Sequence, residues 1–202
     1  MDPHTRARAA MVADLIEDRY VRTEAVARAF RAVPREAFVG PDLQGKAYLD
    51  APLPIGMGQT ISAPSMIAIM LEAADLAAGQ RVLDVGTGSG YNAALLAAIV
   101  GAGNVVSIER HPELTDAARR NLAAAGFAGA APYDRIVVTA GAPRIAPSWV
   151  RQTKVGGRIV APIGRSTFSQ TLVIATKTAE DRIEEREDTP CAFVPLIGKE
   201  GW

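Results

Sequence analysis

Cysteine occurs once in these 202 residues, at Cys191, and histidine twice, at His4 and His111. One thiol excludes a disulfide framework or a cysteine zinc site within a single chain. Two histidines leave little for a histidine-rich metal site or a Ser-His-Asp triad. No metal site is expected, and reactions that need neither imidazole nor metal move forward. Net charge is also lacking: 22 Lys and Arg balance 22 Asp and Glu. A general nucleic-acid binder needs a basic excess to displace counterions, so only a local basic patch stays open. Long apolar runs are missing too. The longest, Ala93 to Gly103, is too short and too rich in Ala and Gly to span a bilayer. The opening Met-Asp-Pro-His-Thr-Arg has no apolar signal-peptide core, which makes a soluble cytoplasmic protein the expectation. What is present suits one globular domain: 49% hydrophobic and 22% charged residues.

The first third reads as helical. Thr5 is positioned to cap a helix through Met11, Val12, Leu15 and Ile16, and Thr23 to start a second through Val26, Ala27 and Phe30. From Phe38 to Pro64 the pattern is irregular and proline-rich, and long ordered loops are usually functional. A helix is expected over about Ser65 to Ala77. Strands then alternate with helices: a strand at Arg81–Gly86, a helix at Tyr91–Val100, a strand at Asn104–Glu109 and a helix at Pro112–Ala125. Further strands follow at Tyr133–Thr139 and Gly157–Pro162. This alternation implies an α/β fold with a parallel sheet covered on both faces. The tail changes to an antiparallel hairpin, Gln170–Thr178 with Arg182–Arg186, whose charges form its outer face, and a further strand at Cys191–Leu196.

Gly86-Thr87-Gly88-Ser89-Gly90 sits between a strand and a helix, where backbone must approach a ligand closely. Alone it is weak, since many glycine turns only connect. Glu109 adds weight, because the end of the next strand is the place from which a carboxylate accepts bonds from both ribose hydroxyls. The glycines alternate at 86, 88 and 90 rather than following the dinucleotide G-x-G-x-x-G spacing. Asp84 lies two residues before the first of them. The arrangement resembles the first motif of class I S-adenosylmethionine-dependent methyltransferases. That cofactor carries an ammonium and no pyrophosphate, which suits a nearby carboxylate. The competing role for Asp84 is a bond to local backbone.

The loop narrows the resemblance. Ala47 to Gly56 and Gly58-Gln59-Thr60-Ile61-Ser62-Ala63-Pro64 closely resemble the protein-L-isoaspartate O-methyltransferases, as do Val33–Val39, Val138–Pro143, Lys154–Arg158 and Phe193–Leu196. The likeness covers nearly the whole chain. It implies a Rossmann-like doubly wound, mostly parallel sheet with N-terminal helices and a C-terminal antiparallel extension. Residues 1–78 would form a helical and substrate-loop segment, 79–164 the cofactor-binding core and 165–202 the β extension of a single domain. The implied reaction moves a methyl group from S-adenosylmethionine to the α-carboxylate of L-isoaspartyl residues in damaged proteins, leaving S-adenosylhomocysteine. A carboxylate is already a nucleophile at neutral pH, so this chemistry needs no general base. The resemblance points to Ser62 as the catalytic group and to Thr60, Ile61, Ser62, Asp84, Gly86, Gly88, Gly90 and Glu109 as cofactor-binding. Ile55, Gly56, Thr139 and Ala140 would bind substrate. Ser62 has a plainer reading as the cap of the helix entered at Pro64. The implied partners are isoaspartyl-containing proteins and peptides, with no nucleic acid or membrane, for a monomer.

Two rival readings are a class I methyltransferase acting on a small molecule or RNA, and a homologue that binds cofactor without catalysis. One expectation concerns a shortfall. Family members carry another strand after the second helix, ending in an acid that contacts adenine, and then a further helix. Here Gly126–Gly129 leads through Ala130-Ala131-Pro132 straight to the strand at Tyr133. In the doubly wound order 3-2-1-4-5 the strand at Tyr133 takes the fourth place, and joining the second strand directly to it would make a left-handed crossover, against a rule obeyed in about 98% of cases. A strand plus connection of roughly 15–20 residues is therefore expected to be missing near Ala128 to Ala131.

Overall fold

The computed structural model describes residues 2–121, 132–167, 169–198 and 200–202. Helices α1 (Pro3–Glu17) and α2 (Glu24–Ala32) open the chain. Asp2, rather than Thr5, caps α1, its carboxylate accepting from the backbone N–H of His4 at 2.9 Å and of Thr5 at 3.1 Å. Pro3 begins the helix, which leaves Asp2 at the favoured capping position. Thr23 caps α2, and Glu72 from the next helix accepts from the N–H groups of Arg22 and Thr23 at 2.9 and 2.8 Å.

The segment read as irregular contains two 3₁₀ turns, Arg35–Phe38 and Pro41–Lys46, and a small antiparallel hairpin of β1 (Leu53–Gly56) and β2 (Gln59–Ile61). Strands of four and three residues, one holding Pro54, are too short to show alternation. At the hairpin tip Gly56, Met57 and Gly58 have φ of 94°, 52° and 69°, a run of left-handed backbone that glycine alone adopts freely. Helix α3 (Pro64–Ala74) ends earlier than expected, where Asp75 turns to φ 53°.

The core then runs β3 (Val82–Val85), α4 (Tyr91–Val100), β4 (Val105–Ile108), α5 (Pro112–Asn121), β5 (Tyr133–Val138), α6 (Pro147–Gln152), β6 (Thr153–Ser166), β7 (Ser169–Ala179) and β8 (Arg182–Cys191). Among the described residues these strands form one sheet in the order β4-β3-β5-β6-β7-β8. The first four are parallel, and β7 and β8 add antiparallel. The doubly wound core and its antiparallel extension are those the sequence implied. The short, proline-led α6 was not anticipated. In place of a strand over Cys191–Leu196, β8 absorbs Cys191 and the rest makes one isolated parallel bridge, Gly141 with Pro195. Proline has no N–H to extend a ladder. Upstream, the Phe193 N–H is taken by the Gln170 side chain at 2.7 Å rather than by a strand.

Two apolar layers cover the sheet. One joins α1–α4 through residues such as Phe30, Leu71 and Leu95, and the other gathers Ile136, Ile159 and Trp149 of α6. Ala118 of α5 belongs to the first layer, so α5 lies on the α4 face of the sheet. The expected shortfall near Ala128 to Ala131 falls outside the described residues. No helix among the described residues is long and apolar enough to cross a membrane.

Candidate active site

The parallel strands end together, and the loops that follow them open a cavity of about 260 Å³. Its walls include Thr60, Ile61 and Ser62 from the hairpin exit, Gly86, Thr87, Gly88 and Ser89 from the glycine turn, and Glu109 after β4. Thr139 and Ala140 after β5 close it, with Val194 and Leu196 from the C-terminal segment. This is where open α/β sheets hold ligands. A second cavity of about 200 Å³ is bordered by Pro52, Ala63, Met66, Ala192 and Phe193. The two share Thr60, Ser62, Thr139 and Val194, so three hydroxyls stand in a common wall.

The glycine turn is built for close approach. A Cβ on Gly86, whose φ is 99°, would meet Thr139 Oγ1 at 2.7 Å, and one on Gly88 would meet the Ile55 side chain at 3.2 Å. Thr139 Oγ1 donates to the carbonyl of Gly86 at 2.8 Å, tying the turn to β5. Glu109 holds it from the other side: one carboxylate oxygen accepts from Gly88 N–H at 2.9 Å, the other from Arg110 and His111 N–H at 2.9 and 3.0 Å. Three backbone donors fix this carboxylate in a rigid pose at the cavity edge. Gly90, at φ 93°, precedes α4 and does not border the cavity.

Asp84 differs from its expected role as a direct contact. It is fully buried in β3 and borders neither cavity. Its carboxylate accepts from Asn92 Nδ2 at 2.8 Å and from Ser107 Oγ at 2.6 Å. Burial pushes its pKa up to about 6, against the lowering effect of the Ser107 and Asn92 bonds and with a small push from Glu109. Ser107 in turn lies 2.6 Å from Thr87 Oγ1. Asn92 and Ser107 went unnoticed in the sequence. Ser107 faces Asp84 only through the parallel register of β3 and β4, and Asn92 only by standing in the first turn of α4.

Ser62 is freed from the plainer role. The N-cap of α3 is Ala63, and the helix's Ser65 N–H donates instead to Asp50 Oδ1 at 2.8 Å. No hydrogen-bond partner meets the Ser62 hydroxyl among the described residues, and it stands between the two cavities. Ile55 packs on Gly88, and both Ile55 and Gly56 border neither cavity. Behind the loop, fully buried Arg35 donates to the carbonyls of Ala47 at 2.7 Å and Ala51 at 3.4 Å, with its guanidinium 5.2 Å from the Tyr91 ring centroid. Burial lowers its pKa to about 10.

A sequence profile of the family described as Protein-L-isoaspartate(D-aspartate) O-methyltransferase (PCMT) matches residues 6–201. Protein-L-isoaspartate O-methyltransferase of Hyperthermus butylicus is 48% identical over 97% of this chain and 90% of its own. That of Aeropyrum pernix is 45% identical over 100% of this chain and 83% of its own. The latter alignment runs over 217 positions against 202 residues here, so about 15 positions are filled in the relative alone. Among solved structures, a protein-L-isoaspartate O-methyltransferase superposes with a TM-score of 0.83 at 29% identity, covering 96% of this chain and 67% of that one. A Plasmodium falciparum beta-aspartate methyltransferase (PCMT), solved with S-adenosyl-L-homocysteine, shares the fold with a TM-score of 0.81 at 23% identity, over 96% and 98% of the two chains.

Proposed function

The chain belongs to the protein-L-isoaspartate O-methyltransferase family, and from that membership we propose how its two joined cavities divide the reaction. The enzyme methylates L-isoaspartyl residues of damaged proteins with S-adenosylmethionine as donor. The observation that carries the division of labour is the common wall of Thr60, Ser62 and Thr139. The larger cavity, with its glycine turn and Glu109, takes the cofactor. The smaller, lined by Pro52, Ala63, Met66 and Phe193, takes the peptide.

The residues fit an adenosyl sulfonium. Gly86 and Gly88 leave the turn free of side chains that would crowd Thr139 and Ile55, and Glu109 keeps one carboxylate lone pair beyond the three its backbone amides use. When bound, S-adenosylmethionine supplies an activated methyl group. The protein's part is alignment and exclusion of water. Ser62, hydrogen-bond-free on the wall, donates to the acceptor carboxylate and fixes which oxygen faces the cofactor cavity. Thr60 and Thr139 flank it, and Ile61 and Ala140 complete the cofactor side. Asp84 and Gly90 support the cofactor from beneath, and Ile55 and Gly56 act by holding the glycine turn.

The partners on this reading are isoaspartyl-containing proteins and peptides, met by a monomer in the cytoplasm. A formal net charge of zero supports the absence of a nucleic-acid partner. The test is incubation with labelled S-adenosylmethionine and paired peptides that differ only in aspartyl or isoaspartyl linkage. Label in the isoaspartyl peptide alone is expected. Equal labelling of both, or binding without transfer, overturns the reading.

A further inference from the structure

We propose that Ser107 is a positioning residue for the cofactor: it carries the polarity of buried Asp84 to Thr87, so that Thr87 presents oxygen lone pairs, rather than its proton, to the cofactor cavity. The proposal rests on the larger cavity being the S-adenosylmethionine site.

The argument follows the protons. Ser107 Oγ donates to Asp84 Oδ2 at 2.6 Å, which uses its only hydrogen. The 2.6 Å contact between Ser107 Oγ and Thr87 Oγ1 then needs its proton from Thr87. Thr87 is left with acceptor capacity alone on the side that borders the cavity. Asn92 is oriented in the same way: its Nδ2 donates to Asp84 Oδ1, and the residue borders the cavity. A buried carboxylate that borders neither cavity thus makes Thr87 an acceptor for a ligand's donor groups and fixes Asn92 beside it. Such donors exist on the cofactor as an ammonium and as ribose hydroxyls.

The relay is directional because Asp84 is a carboxylate. Were it protonated, its O–H could donate to Ser107, Ser107 to Thr87, and Thr87 would turn a proton toward the cavity. Asp84 faces Ser107 on β4, Val137 on β5 and Asn92 on α4, and the charge acting on it is that of Glu109. Arg110 and His111 border the cavity beyond Glu109. With its carboxyl held near 6 by burial, Asp84 is ionised at neutral pH.

The test combines calorimetric binding of S-adenosylhomocysteine with ¹³C NMR titration of the Asp84 carboxyl in the ligand-free protein. Ser107→Ala should weaken binding about tenfold and move the Asp84 titration to higher pH, while Ser107→Thr keeps the hydroxyl and both properties. Thr87→Val, which leaves β4 intact, should lose the same factor, and the double variant no more than either single one. A purely structural Ser107 would give additive losses. Parental affinity in Ser107→Ala, additive losses, or an unmoved Asp84 titration each overturn the proposal. If the parent itself binds no S-adenosylhomocysteine, the cofactor reading fails and takes the proposal with it. The Asp84 titration tells the two failures apart, because it needs no ligand.

Discussion

At the Ser62 hydroxyl, cap and site residue make different predictions, and the structure separates them. Because Asp50 holds the Ser65 N–H, Ser62→Ala should leave thermal stability near the parental value and lower turnover on isoaspartyl peptide by about tenfold or more. Asp50→Ala should cost about 1 kcal/mol of stability. Melting curves and steady-state rates on the two variants check both. At Glu109 the carboxylate accepts from amides on both oxygens. An amide in its place must turn its NH₂ toward one set of donors, so Glu109→Gln should weaken cofactor binding by roughly 1.5–3 kcal/mol, read by calorimetry. Asp84 is the reverse case, a group that costs stability. Its folded pKa of about 6 lies above the ordinary aspartate value of 3.8. Between those values the folded state keeps a proton that the unfolded chain has released, so its cost is complete above 6 and gone below 3.8. Asp84→Asn should therefore stabilise the protein by about 1–3 kcal/mol at pH 8, with the advantage fading toward pH 4, while cofactor affinity falls. Urea titrations across that range test the sign.

Among the elements, the hairpin of β1 and β2 acts on the glycine turn through Ile55, whose side chain rests on Gly88. Gly56→Ala meets no steric obstacle, yet at φ 94° it strains the tip. It should lower cofactor affinity more than it lowers the melting temperature, as paired calorimetry and melting would record. The hairpin also marks the limit of what the sequence reveals. The β3-turn-α4-β4 unit was legible because its glycines, its apolar strand and its terminal acid lie in one short stretch with a fixed period. Asp50 as the cap of α3, Ser107 beneath Thr87, and Arg35 under the loop were not. Each meets its partner across a strand register or 12 to 23 residues of chain, and no local pattern encodes such a meeting. One helix start was misplaced, at α1, where Pro3 at the first helical position puts Asp2 rather than Thr5 at the cap.

For the whole molecule, the ligand and the fold are coupled by mass action. S-adenosylhomocysteine at 100 times its dissociation constant should add about 2.7 kcal/mol, provided the unfolded chain binds none, and raise the melting temperature by roughly 5–11 °C. A scan with and without ligand measures it. Among the described residues the sheet that supports this coupling has β4 at one border and β8 at the other. β8 is guarded by its charges, Glu184, Glu185, Arg186, Glu187 and Asp188. The cavity, however, is closed by residues far apart in the chain. Gln59 to Ser62 form one wall and Val194 to Ile197 another, the latter pinned by Leu196 N–H on the Gly141 carbonyl at 2.7 Å. During synthesis the first wall leaves the ribosome long before the second exists. A nascent chain thus has no closed cofactor cavity until Val194 to Ile197 have emerged, and ligand steadies only chains synthesised past that point.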